Sequence, residues 1–299
     1  MTGTITSAVA FTNGNALVMS YRTAGRFGYR RHFGDALQAS YVPPVNDSAV
    51  LGEDWGDWSG KPYVDGTYTA SLWLSRNLDL AVAGEVQTYR VTANAADVDF
   101  LYGDGAEELE PQDIISSAVN CEACHDDLNF HGGGRASLTA CLMCHQPGAE
   151  DRPQYVASGA PPTTGVTIDF RTMLHKIHMG EDLANASTYQ VVGFGPAPNN
   201  FSVATYDEVV FPSMPGGVLN CEKCHGAGND SWTEPKPRTH PTDQVLDTRV
   251  WRAACNSCHD SDAATAHIDV QISIGGVESC EVCHGPDSEF SVVKSHVVR

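Results

Sequence analysis

Between Thr67 and Leu74 the chain reads Thr-Tyr-Thr-Ala-Ser-Leu-Trp-Leu, and the stretches AVAFT, ALVMSYR and VQTYRVTA share its bias toward Val, Thr, Tyr and Leu. Alternation with period two in β-branched and aromatic residues predicts half-buried antiparallel strands. The segments NGN, PPVND, GDWSGKP and VDG punctuate them as turns. This pattern predicts an N-terminal all-β domain over residues 1–108, built as a small sandwich or split barrel. The segment GDGAEELEPQD, residues 103–113, is acidic, contains Gly and Pro, and reads as a linker into a helix running from Pro111 to Cys121. Beyond it, short helical pieces alternate with long Gly- and Pro-rich loops such as PGAEDRPQYVASGAPPTTG. Side chains arranged in that way make a poor core, so this second domain, residues 109–299, needs another source of buried apolar surface.

Composition narrows the classes. In 299 residues, 18 Lys and Arg stand against 37 Asp and Glu, a formal charge of −19 that argues against a nucleic-acid or anionic-membrane partner. No apolar run approaches the ~18 residues of a membrane span, so the chain is expected to be soluble and not membrane-spanning. The cysteines are confined to one part: none precedes Cys121, the first of 10.

Those cysteines are spent on five copies of one pentapeptide, CEACH at Cys121–His125, CLMCH at Cys141–His145, CEKCH at Cys221–His225, CNSCH at Cys255–His259 and CEVCH at Cys280–His284. In a c-type haem site two thiols, Cys121 with Cys124, Cys141 with Cys144, Cys221 with Cys224, Cys255 with Cys258 and Cys280 with Cys283, form thioethers with the haem vinyl groups. The next residue, His125, His145, His225, His259 or His284, is then the proximal iron ligand. The competing reading is a four-cysteine zinc ribbon from Cys121-x-x-Cys124 and Cys141-x-x-Cys144. Zinc does not require a His after each second Cys, and five pairs leave one without a partner. The motifs therefore predict five covalently bound haem c groups, whose macrocycles supply the missing core and make folding depend on their attachment.

Seven histidines remain: His32, His131, His175, His178, His240, His267 and His296. They suffice to fill every distal position and leave two spare. His175 and His178 in DFRTMLHKIHMG sit three apart on one face of a short helix, where two imidazoles can serve two different irons. His131 lies so near the first motif that it suits a neighbouring haem better. His267 and His296 follow the fourth and fifth motifs closely, whereas His240 is flanked by Pro and His32 lies in the β-rich part, both readable as surface residues. Met143, Met173, Met179 and Met214 are the alternative axial ligands, and each would raise a haem's potential. The count predicts bis-histidine, low-spin, low-potential haems.

The N-terminal MTGTITSAVAFTNGN shows neither a basic stretch nor an apolar h-region. Because haem is attached to C-x-x-C-H outside the bacterial cytoplasm, the chain is expected to be a mature form or a fragment, extracellular or on the outer-membrane surface, with the periplasm as the other compartment.

The series CEACHDDLNFHGGGR, CLMCHQP, TMLHKIHMGEDL, YQVVGFG with FSVATYDEVVFP, CEKCH, CNSCHDSDAATAH and CEVCHGPDSEFSVVKSH resembles one pentahaem module of the OmcA/MtrC family of outer-membrane decahaem cytochromes. The likeness extends through residues 85–120 and more weakly into the β-domain. It implies a split-barrel or Greek-key domain followed by a pentahaem domain, and a chain half the size of the usual pair of modules. Carried over position by position, it implies His131, His175, His178, His267 and His296 as the distal ligands, and matches neither His32 nor His240. It further implies extracellular respiration, with electrons arriving through an outer-membrane conduit or partner cytochromes and leaving to metal oxides, flavins, electrodes or other cytochromes. Two other functions compete: a multihaem reductase of the nitrite or hydroxylamine type, which needs an open iron, and a subunit that self-assembles into an oligomer or filament. No catalytic residue is assigned; the chain reads as an electron carrier rather than an enzyme.

Overall fold

The computed structural model describes residues 20–21, 31–32, 66–105, 107–111, 114–143, 145, 159–161, 168–212, 220–235 and 249–296. The expected strand AVAFT, most of ALVMSYR, Cys144, Met214 and His240 lie outside the described residues. Those up to Met143 belong to one compact unit and those from His145 to a second.

In the first unit, β1 (Ser20–Tyr21) pairs with β2 (Arg31–His32), and the alternating segment forms β3 (Gly66–Leu72). β3 runs antiparallel to β6 (Ala96–Tyr102), and β4 (Ser75–Val82) runs antiparallel to β5 (Glu85–Thr92) through a tight turn at Ala83 and Gly84, both at positive φ. The two pairs continue one another. Trp73 and Leu74 on one side face Ala93, Asn94 and Ala95 on the other, so the ribbon carries one extra residue and bends there as a bulge, closed by Ala93 N donating to Leu74 O at 2.9 Å. Tyr68, Thr69 and Ser71 are all buried, so β3 is covered on both faces rather than on the one that its alternation predicts. Thr69 satisfies its hydroxyl across the ladder on Asp99 at 2.6 Å.

The helix expected from Pro111 begins only at Ala118. Ser117 has extended backbone and accepts a hydrogen bond from Asn120 N, capping α1 (Ala118–Glu122), so the preceding described residues stay outside it. A short hairpin, β7 (Asn129–Phe130) with β8 (Arg135–Ala136), leads to α2 (Leu138–Leu142).

The second unit is made of short helices and one hairpin. α3 (Phe170–Met179) starts at Asp169, whose buried carboxylate accepts from Thr172 N at 2.9 Å, and stops at Gly180. Gly180 has φ +45 and lies against the Val209 carbonyl with no room for a Cβ, so this stop requires glycine. β9 (Gln190–Phe194) and β10 (Phe201–Thr205) form an antiparallel hairpin. α4 (Glu222–His225), α5 (Val250–Asn256), α6 (Asp262–Val270), α7 (Glu281–His284) and α8 (Val292–His296) follow. Among its described residues, Ala160, Leu183, Tyr189, Val192, Val250, Trp251, Ala253 and Ile268 are the buried apolar ones, a small set for so many helices. Among the described residues, no helix is long and apolar enough to cross a membrane.

Candidate haem-binding sites

Four of the pentapeptides adopt one local shape. The His N–H donates to the carbonyl of the first Cys at 3.0 Å in Cys121–His125, 3.0 Å in Cys221–His225, 2.8 Å in Cys255–His259 and 2.9 Å in Cys280–His284. The second Cys N–H reaches the same carbonyl at 3.1 to 3.2 Å. One helical turn thus sets the two sulfurs, three residues apart, on one face, with the imidazole at the next position.

Facing three of these imidazoles are histidines from elsewhere in the second unit. His175 of α3 lies opposite His225 with ring centres 6.4 Å apart, His296 of α8 opposite His259 at 5.9 Å, and His267 of α6 opposite His284 at 6.2 Å. An imidazole nitrogen binds a metal at about 2 Å, and adding about 1 Å from nitrogen to ring centre on each side puts two imidazoles across one iron about 6 Å apart. The pairs therefore fit a haem iron between them. The planes differ by 17°, 56° and 89° in the same order.

Nδ1 of three of these six rings is occupied. His225 meets Ser231 Oγ at 3.1 Å, His284 meets Phe290 O at 2.9 Å, and His296 meets Val292 O at 2.8 Å. A carbonyl can only accept, so Nδ1 of His284 and His296 carries the proton, leaving Nε2 with the lone pair that an iron needs. His178 and His145 follow the same rule, on Leu174 O at 2.7 Å and Ile168 O at 2.9 Å. Nδ1 of His175 is buried without a partner in hydrogen-bond geometry, although the Arg171 carbonyl one turn earlier is close enough to act on its charge.

Burial, reinforced by His225, Arg171 and His178, pushes the His175 pKa down to about 4. Burial also lowers His225, and burial with His296 lowers His259. In all three the imidazolium is disfavoured, which favours the neutral ring that binds metal. Among the thiols, Cys258 is pushed up to about 12 by burial, then by Cys221 and Cys255, and Cys255 to about 11 by burial, then by Cys280 and Glu278. The groups acting on the fourth motif's sulfurs include Cys221 of the third motif and Cys280 of the fifth. These three motifs share one neighbourhood.

The remaining candidates have different surroundings. His125 meets Phe130 edge-on at 6.1 Å, His145 lies tilted on Phe170 at 6.2 Å, and His178 meets Phe211 edge-on at 5.6 Å. His131 sits at the tip of the β7–β8 hairpin with φ +56, followed by Gly132 at +65 and Gly133 at +75. The ribbon bulge grips this hairpin: Thr92 Oγ1 donates to Gly133 O, Ala95 N donates to Ser137 Oγ at 3.3 Å, and Arg135 lies over Trp73 at 4.7 Å. A Cβ on Gly133 would stand 3.1 Å from Arg90 O, and Gly132 and Gly133 both lie at positive φ, so these two positions favour glycine. His175 and His178 share α3, as their spacing predicts. Among the described residues no three or more His, Cys, Asp or Glu side chains gather into a metal cage; the imidazoles come in pairs.

Sequence reasoning missed the polar groups that hold the motifs together. Asp260, directly after His259, and Glu278, two residues before Cys280, each accept from two successive backbone N–H groups: Ala184 and Asn185 for Asp260, Trp251 and Arg252 for Glu278. An acidic residue flanking a motif was visible, but nothing in the chain's order names the distant backbone that it caps.

Residues 112–297 match the model of the outer membrane cytochrome MtrC/MtrF-like family, domains II/IV. No curated protein matches the chain. Among solved structures, MtrC from Shewanella baltica OS185 is similar at 18% identity, with 74% of this chain and 32% of that chain covered and a TM-score of 0.25. This chain thus spans about a third of that relative. With the family model matching well over half of its length, repeated C-x-x-C-H turns included, the chain belongs to the outer membrane cytochrome MtrC/MtrF-like family.

Proposed function

We propose that the chain binds five haem c groups, each between two histidines, and serves as an electron conduit at or beyond the outer membrane. Haem c supplies a one-electron Fe(III)/Fe(II) couple when bound. In this reading His125, His145, His225, His259 and His284 are the proximal ligands and His131, His175, His178, His267 and His296 the distal ones. Residues 1–108 form a β-domain and residues 109–299 the haem domain. The observation that carries the reading is the set of three imidazole pairs with ring centres 5.9 to 6.4 Å apart, each joining a C-x-x-C-H histidine to one from a separate element.

The protein's own contribution is to orient these rings and keep them neutral. Carbonyls fix the Nδ1 proton and burial disfavours the imidazolium, so Nε2 is presented to the metal. If two histidines hold each iron, nitrite or hydroxylamine would find no open coordination site, and transfer to a metal oxide, a flavin or another cytochrome would be outer-sphere. The negative charge of the chain favours cationic or positively patched partners.

Intact mass of the purified protein is expected to show five haem additions, and its ferric spectrum a fully low-spin set unchanged by nitrite, with no carbon monoxide adduct after reduction. A high-spin component or a carbon monoxide adduct would reveal an open iron and sink the conduit reading in favour of a reductase. Reduced protein is expected to be oxidised by flavin and by ferric oxide alike, without saturation.

A further inference from the structure

Asp260 is buried, and every polar atom of its carboxylate is used. Oδ1 accepts from Ala184 N at 2.9 Å and Asn185 N at 3.4 Å, and Oδ2 faces Lys176 Nζ at 3.6 Å. Its own carbonyl accepts from Asn185 Nδ2 at 2.6 Å. Lys176 stands on α3 between His175 and His178, its side chain 19% exposed, with Nζ 5.7 Å from the Tyr189 ring centre. One carboxylate, adjacent in sequence to the fourth motif's His259, therefore ties down both the helix that carries His175 and the turn that follows that helix.

Such an arrangement exceeds what a loop cap requires. A cap needs the two N–H bonds; the additional ion pair commits a buried negative charge to the neighbourhood of Cys258, the fourth motif's second thiol, on which both Asp260 and Lys176 act. Burying a paired charge brings little net stability, and removing one partner is costly. A negative charge near an iron favours the ferric over the ferrous state, because the ferric centre carries one more positive charge, and the effect is strongest where water is excluded.

We propose that Asp260 is a positioning residue for the haem array: it locks α3, and with it the His175 partner of the third motif, to the fourth motif, and its charge holds the fourth haem's potential down. This rests on the assignment of His175 and His259 as haem ligands. The Asp260–Lys176 pair is then a built-in potential setting, with the carboxylate and ammonium acting in opposite directions on one centre.

The test is a spectroelectrochemical titration of the full haem-loaded protein and two variants. Asp260→Asn keeps an oxygen acceptor for Ala184 N and Asn185 N but removes the charge. One of the five transitions is expected to move positive by about tenfold in its ferrous/ferric ratio at fixed potential, ~59 mV for a one-electron couple. Lys176→Gln is expected to move that same transition negative. Unmoved transitions in both variants, or shifts of equal sign in both, would overturn the proposal, the second because loosened packing has no reason to reverse sign. If Asp260→Asn does not accumulate, Lys176→Gln decides alone, by a negative shift or its lack. The wild-type mass and low-spin spectrum check the ligation separately: wild type with an unligated or high-spin fourth haem overturns the ligand assignment and this role with it. A complete low-spin set whose potentials ignore both variants overturns only the role of Asp260.

Discussion

The hairpin that carries His131 and the helices that carry His175, His267 and His296 present the same side chain by opposite means. In the first unit a backbone ladder does the work: the bent ribbon of residues 66–102 holds residues 129–137 through Thr92, Ala95 and Arg135, and its grip needs no cofactor. In the second unit helices of 4 to 10 residues are joined by single carboxylates and by imidazoles that face one another across a gap of about one metal ion. Helices of that length are marginal alone. A ligand position can be stored either in the fold or in the ligand itself, and with the distal ligands proposed above this chain would use both.

Haem removal breaks the comparison most forcefully. In protein produced without haem attachment, residues 250–296 are expected to lose amide protection almost wholly, because their short helices keep neither the macrocycles nor the iron bridges between paired rings. The ribbon of residues 66–102 is expected to retain more protection than any helix of the second unit. Hydrogen exchange followed by mass spectrometry reads both at once. Equal protection in the two regions would show that the second unit folds on side chains alone.

Breaking one pair comes next. His296→Ala removes the ring opposite His259 and is expected to turn one of five haems high-spin while the protein stays folded. His131→Ala is expected to convert a different haem with a similar yield. The ferric spectrum of each variant decides, and an unchanged low-spin set in either would remove that histidine from the ligand set.

A smaller effect is expected at the clamp. Gly133→Val places a β-branched residue at φ +75 with its Cβ against Arg90 O. Left-handed strain of this kind costs on the order of 1–3 kcal/mol. The cost is expected to appear as a lower unfolding midpoint of the first unit, with His175, His267 and His296 ligation spectroscopically intact. Loss of the second unit's low-spin signal in this variant would contradict the separate storage of the two ligand groups.

What was readable along the chain follows the same division. Strand β3 and the α3 helix were visible because their periods are local, two and three to four residues, and the C-x-x-C-H turns because covalent chemistry fixes their spacing. The bulge was not visible: it is a mismatch between Trp73–Leu74 and Ala93–Ala95 that exists only after the strands pair. The start of α1 was expected at Pro111, directly after the acidic linker, whereas Ser117 supplies the cap and the helix begins at Ala118. The double burial of β3 and the reach of Asp260 to Ala184 are tertiary facts with no local period. His175 and His178 were legible as a pair on one face, but the partner of His175, His225, lies 50 residues on, and only folding brings it there.

The finest distinction lies among the three pairs themselves. His175 and His225 have nearly parallel planes, 17° apart, and His267 and His284 nearly perpendicular ones at 89°. Each imidazole donates through a π orbital set by its plane. Parallel planes raise one iron dπ orbital above the other, whereas perpendicular planes leave the two almost degenerate. The ferric third haem is therefore expected to give a rhombic low-spin EPR signal, and the fifth an anisotropic one with a larger maximal g value; His259 with His296 at 56° falls between. His267→Ala is expected to delete the anisotropic component and His175→Ala the rhombic one, with no exchange between them. The opposite assignment would mean that haem attachment re-aims these rings although Nδ1 contacts now hold His225 and His284, and the second unit would owe its ligand geometry to the cofactor even more than its short helices suggest.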